Sequence, residues 1–316
     1  MSLLARPCVL ALLPVFLHAS PCSLACQAQQ PQAGTIRVST SLVQVPVSVT
    51  DAEGHAVKDL QLEDFSIAEN GSPVTIAHFG EAGETRLEIV LVFDNTGSVF
   101  LHFAFDQQVA ADFLRSVFRP HDAVGILCIG SAPEILLNQT TSLGEALKSL
   151  SQLRPSLAAT AFYDSVIAAA RLFHVPMDPD TRRVQIVLSD GQDNLSNQHL
   201  EDAIREVQQA DCIFYSINPG GPNVRFNLVS LRGQQAMEAL AEQTGGVAFL
   251  ADKKEALGEI YGRIATELKA QYLLSYYSPD AKMDGSFRRI GVGVPKQPEL
   301  RVRARQGYYA TKGPAR

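Results

Sequence analysis

Three short stretches carry oxygen donors where a folded chain could bring them together. Asp94, Thr96 and Ser98 alternate with Asn95 and Gly97, so one carboxylate and two hydroxyls at a spacing of two can turn toward a common point. Thr160 opens a helical pattern within LAATAFYD, and Asp190 stands in LSDGQDN with Asp193 close behind it. Carboxylates and neutral hydroxyls, with no thiol or imidazole among them, suit a hard divalent cation. Each residue also has a plainer use. Asp94 and Thr160 can cap the helices that follow them, and Asp190-Gly191 can be merely a turn. As an ordered set, with the aspartates at the ends of separate buried strands, they point to a metal site. Asp193 reads better as a solvated loop carboxylate than as a supporting ligand.

The elements that must hold these residues are legible around them. Leu87 to Phe93 is an almost wholly apolar run that stops at Asp94, the pattern of a strand buried on both faces. Val184 to Leu188 repeats that pattern just before Asp190. Phe103, Ala110, Phe113, Leu114 and Val117 recur near the 3.6 period and place a helix after the first motif. Further strands are expected at 123–129, 134–137, 212–217 and 247–250. Helices are expected at about 142–153, 161–173, 199–209, 234–244 and 254–268. This alternation predicts an α/β class, a doubly wound, mostly parallel sheet with helices on both faces. Ligands bind at the carboxyl edge of such a sheet, where both aspartates fall.

Two β-rich segments flank that region. Residues 35–82 read as a small module in which Val43, Val45, Val47 and Val49 line one side of a half-buried strand, and Asn70-Gly71 marks a hairpin. Residues 270–312 hold three more strands, at 272–277, 287–294 and 300–304. Each set is too small to stand alone, so the two are expected to pair into one smaller β-sandwich-like domain beside an α/β domain of residues 86–269.

Composition narrows the function classes. With 27 basic and 33 acidic residues the net charge is −6, and no run of five like charges occurs, so no nucleic-acid surface is implied. Residues 1–28 resemble an export leader: Arg6, an apolar run from Cys8 to Leu17, then small residues to Ala28. Cleavage near Ala25 or Ala28 would release the chain, and a cut before Cys26 would leave a lipid anchor, although Ser23 stands where a leucine is usual. The apolar run is too short for a permanent span and no other reaches 18 residues, so no transmembrane segment is expected in the mature chain. The expected location is periplasmic, outer-surface or secreted. The seven histidines are scattered, with no HExxH. Ser98 has no nucleophile elbow, and no glycine-rich phosphate loop is present. Cys128 and Cys212 sit in apolar runs and read as buried small hydrophobes.

The order Asp94-x-Thr96-x-Ser98, then Thr160, then Asp190 resembles the metal-ion-dependent adhesion site of von Willebrand factor type A (VWA) domains. In that family a D-x-S-x-S motif, a threonine and an aspartate come from three loops at one end of the sheet. The resemblance covers about residues 86–269. With QYLLSYY and VRARQGYY it extends to exported bacterial proteins that carry a related A domain. Thr96 departs from the pattern by replacing the first serine, with its hydroxyl kept. The resemblance implies a non-enzymatic binding module holding Mg²⁺, with Mn²⁺ or Ca²⁺ as alternatives. Its partner is a protein presenting Asp or Glu to the metal. It also implies the strand order 3-2-1-4-5-6, which separates Cys128 from Cys212 by three strand spacings, about 14 Å at roughly 4.8 Å each, too far for a disulfide.

FDNTGS also resembles the phosphorylation motif of haloacid-dehalogenase-type phosphohydrolases, with Asp94 as nucleophile and Asp190 and Asp193 holding the metal. That chemistry needs a lysine near the phosphoryl group. The one lysine between the two motifs, Lys148, falls in an amphipathic helix.

Overall fold

The computed structural model describes residues 42–81, 83–96, 103–156, 158–173, 180–251, 253 and 256–310. The expectations for the leader 1–28, the anchor at Cys26, residues 35–41 and Ser98 lie outside the described residues.

The chain begins with β1 (Leu42–Thr50), β2 (Ser66–Glu69), β3 (Ser72–Val74) and β4 (Ile76–Gly80). The α/β region follows: β5 (Arg86–Asp94), α1 (Phe103–Val117), β6 (Ala123–Ile129), β7 (Glu134–Thr140), α2 (Leu143–Gln152), α3 (Phe162–Ala170) and β8 (Thr181–Leu188). It continues through α4 (Leu200–Gln209), β9 (Cys212–Asn218), α5 (Leu228–Thr244), β10 (Ala248–Leu250) and α6 (Ala256–Leu268). The closing strands are β11 (Tyr272–Tyr277), β12 (Phe287–Gly293), β13 (Arg301–Ala304) and β14 (Gly307–Tyr309).

The central sheet runs β7-β6-β5-β8-β9-β10, the strand order that the family resemblance implies. Every pairing in it is parallel except β6 with β7. β5 shows why its run is continuously apolar. Leu87, Ile89, Leu91 and Phe93 join the core shared with α1 and α6, while Val90 and Val92 join the opposite core with α3 and α5. Each such side chain contributes about 1.5–3 kcal/mol by burial. Cys128 on β6 and Cys212 on β9 are buried and free, with β5 and β8 between them.

The flanking segments do combine. One sheet runs β13-β1-β11-β4 and the other β14-β12-β2-β3, so each contains strands from both ends of the chain. Val43, Val45, Val47, Tyr272, Leu274, Ile67 and Ile290 fill the core they share. Asn70 and Gly71, at φ of 50° and 83°, form the hairpin turn between β2 and β3.

Four expectations are corrected. β1 is buried on both faces, since Gln44 and Ser48 on its polar side are both covered and Ser48 meets the α/β region. Ser48 Oγ donates to Glu267 of α6 at 2.8 Å, and Arg305 donates to the Gln44 carbonyl. β8 starts three residues early at Thr181. Its Arg182 and Arg183 are buried, Arg182 donating from Nη1 to the Leu268 carbonyl and Arg183 donating to the Ala210 carbonyl and Glu88. α5 starts six residues early, capped by Asn227 Oδ1, which accepts from the Val229 and Ser230 amides. β14 was not expected, being three residues long. Among the described residues no helix is long and apolar enough to cross a membrane.

Candidate functional site

Asp94 ends β5 at the carboxyl edge of the central sheet and is 1% exposed. Its Oδ1 accepts the Thr96 amide at 2.9 Å and the Thr96 hydroxyl at 2.5 Å. Its Oδ2 accepts the Ser189 hydroxyl at 2.7 Å. Thr160 Oγ1 in turn donates to Thr96 Oγ1 at 3.4 Å. A hydroxyl that has given its proton to a neighbour still has lone pairs for a cation. Oxygen ligands about 2.1 Å from Mg²⁺ in adjacent octahedral positions lie roughly 3 Å from one another. The Thr96 to Thr160 separation is close to that.

Asp190 follows β8 on the neighbouring strand and is likewise buried. Its carboxylate accepts the Gln192 amide at 3.1 Å and the Gln192 side chain at 2.9 Å. The turn it makes needs Gly191, at φ +72°, because a Cβ there would stand 2.5 Å from the Gly233 carbonyl of α5. The reverse is also true, since a Cβ on Gly233 would meet the Asp190 carbonyl at 2.5 Å. Paired glycines thus seat the Asp190 loop against α5.

Thr160 is held by its backbone. Its amide donates to Asn194 Oδ1 at 2.9 Å, and its carbonyl accepts the Asn194 and Leu195 amides. It does not cap α3, whose N-cap residue, Ala161, has no side-chain acceptor. Asp193 serves instead from the other loop, accepting the Phe162 amide at 2.8 Å and the Ser196 hydroxyl at 2.5 Å. Asp193 is therefore a half-buried cap rather than a solvated carboxylate.

Four of the five residues expected in a metal site, Asp94, Thr96, Thr160 and Asp190, thus converge at one edge, and Ser98 lies outside the described residues. Two positioning residues, Ser189 and Asn194, were missed. Ser189 closes an apolar strand, where a serine gives no signal beyond its place beside Asp190.

Electrostatically the site holds two buried carboxylates, Asp94 and Asp190. Among the described residues neither Asp94 nor Asp190 forms an ion pair with Lys, Arg or His. Burial pushes the Asp94 carboxyl above its ordinary value; hydrogen bonds from Thr96 and Ser189 oppose the shift, and the Asp190 charge adds to it. Buried carboxylates without a cationic partner are costly unless they meet a metal. No group of three or more His, Cys, Asp or Glu able to hold a metal occurs among the described residues. A cation here would rest on two carboxylates and several hydroxyls. Lys148, the lysine a phosphohydrolase would need, is exposed on α2.

No curated protein matches the chain. Among solved structures, BatB from Bacteroides thetaiotaomicron is 16% identical over 58% of this chain and 99% of that one, with a TM-score of 0.47. An aerotolerance-related membrane protein from Bacteroides fragilis is 18% identical, covering 58% and 98%, with a TM-score of 0.45. A von Willebrand factor type A protein from Catenulispora acidiphila is 12% identical over 73% and 51%, with a TM-score of 0.48. The family model of the von Willebrand factor type A domain matches residues 88–263, more than half of the 316 residues and a span that contains Asp94, Thr160 and Asp190. On that match the chain belongs to the von Willebrand factor type A family.

Proposed function

We propose that this chain is an exported, non-enzymatic binding protein whose A domain docks a partner protein through a divalent cation. VWA domains are in general interaction modules and commonly hold such a cation. In this chain Thr96, Ser98 and Thr160 would hold Mg²⁺ through hydroxyls, with Asp94 and Asp190 contributing mainly through water. When bound, the ion supplies a Lewis-acidic position that an acidic side chain of the partner completes. Asp94 positions the Thr96 hydroxyl, and Ser189 holds Asp94 from the other side. Asp193 fixes the start of α3 and so the approach of Thr160. The observation carrying this reading is the pair of buried carboxylates, bordered by hydroxyls and without a basic partner among the described residues. Export is inferred from the leader pattern in residues 1–28, with a lipid anchor at Cys26 as the alternative to free release.

The test is thermal denaturation of the wild type and an Asp94→Ala variant, with and without Mg²⁺, beside a turnover assay on an aryl phosphate. The expected outcome is a cation-dependent rise in Tm that the variant lacks, and no turnover. Metal-dependent hydrolysis that vanishes with Asp94 would support the phosphohydrolase reading instead.

A further inference from the structure

Eight large apolar side chains are exposed among the described residues, and three of them lie within four residues of one another where β9 leads into α5. Phe226 is 88% exposed, Leu228 74% and Val229 54%. β9 runs parallel to β8, which runs parallel to β5, so this junction emerges at the same edge as Asp94. A single side chain spans from the acidic site to this group. Gln192 Nε2 donates to Asp190 Oδ2 at 2.9 Å and to Ser230 Oγ at 3.3 Å, and Ser230 directly follows Val229.

The exposure is built into the loop. Asn227 accepts from the Val229 and Ser230 amides and so fixes the turn that carries Phe226 and Leu228. Val224, two residues before Phe226, is buried and anchors the loop from beneath. Contiguous exposed apolar groups rimmed by polar ones mark interaction surfaces, whereas scattered ones need no explanation. α5 has no acidic residue in its first turn, where the helix presents its positive end, and Arg232, four residues after Leu228 and so on the same helix face, is exposed.

We propose that Phe226, Leu228 and Val229 form an apolar docking rim for a protein segment in which an acidic residue is flanked by large apolar side chains. The acidic residue would reach the cation site while its neighbours cover the rim. This rests on the cation-docking reading above and adds the chemistry of the partner.

The test pans a displayed library of random short peptides against the full chain in Mg²⁺, with elution by EDTA. A Phe226→Ser/Leu228→Ser double variant is carried in parallel. Both substituted side chains are exposed, so the variant should fold and bind Mg²⁺ in calorimetry like the wild type. The expected result is enrichment of peptides with Asp or Glu beside Leu, Ile or Phe, and affinity for the best of them at least about tenfold weaker in the double variant. Acidic peptides with polar flanks, or binding unchanged in the double variant, would overturn the rim while leaving the cation reading in place. Apolar peptides without an acidic residue, captured regardless of EDTA, would overturn the partner chemistry together with the cation reading. Failure to enrich any acidic, EDTA-eluted peptide would overturn the proposal as well. So would a dimer in sedimentation velocity that the double variant abolishes, since a second copy would then occupy the rim.

Discussion

Asp94 accepts from Thr96 twice and from Ser189 once, and the Asp190 charge acts on it. Replacing Ser189 with Ala removes the donor to Oδ2 and leaves a buried carboxylate oxygen without that partner. The expected loss is about 1–3 kcal/mol in urea denaturation, and an unchanged midpoint would show that the bond carries no weight. The donors to the candidate cation were legible because carboxylates and hydroxyls at strand ends stand out in sequence. Ser189 was not, because its role comes from the neighbouring strand. Its hydroxyl meets Asp94 only because β5 and β8 pair in parallel, bringing their ends level. Asp193 misled for a related reason, since a cap supplied from another loop breaks the local rule that the residue before a helix caps it.

At the scale of elements, α3 depends on that borrowed cap. An Asp193→Ala variant should lose about 0.5–2 kcal/mol of stability, while Asp193→Asn, which keeps an acceptor, should lose less. Equal losses for the two, measured by chemical denaturation, would mean that charge rather than hydrogen bonding matters at this helix end. Periodicity revealed α1 well: Phe103, Ala110, Phe113, Leu114 and Val117 are all buried. It missed the first six residues of α5, whose Leu228 and Val229 face water and so break the apolar stripe. It shortened β8 because Arg182 and Arg183 look like surface residues. Arg182 is 1% exposed, and its guanidinium caps the Leu268 carbonyl at the end of α6, a contact between residues far apart in sequence.

At the scale of the whole described molecule, the sheet that contains β1 and the α/β region share a buried polar junction. Glu267 of α6 accepts from Ser48 of β1, Tyr215 of β9 and Arg303 of β13. Gln271, between α6 and β11, donates to Ser48 at 3.1 Å. That junction explains why a strand read as half-buried is buried on both faces. Interior burial also governs the thiols. It pushes Cys128 from 9.0 up to about 12, helped by the Glu134 and Asp94 charges, and pushes Cys212 upward as well. In the unfolded chain a thiol ionises near about 8.5. Because the folded pKa is the higher one, the stability tied to the protonated thiol is complete below about 8.5 and is lost as pH rises toward about 12. Native protein at pH 8 should therefore resist alkylation at both cysteines and react at both once unfolded. Labelling of either in the native state, read by mass spectrometry, would contradict the buried arrangement, and a disulfide between them would contradict the strand order.

The most direct test of the central claim is calorimetric titration of Mg²⁺ into the wild-type chain and into the Asp94→Ala variant, with the fold of each checked by circular dichroism. The account predicts a single saturable site in the wild type and none in a folded variant. Equal Mg²⁺ binding by the two proteins, or none by the wild type, would contradict it.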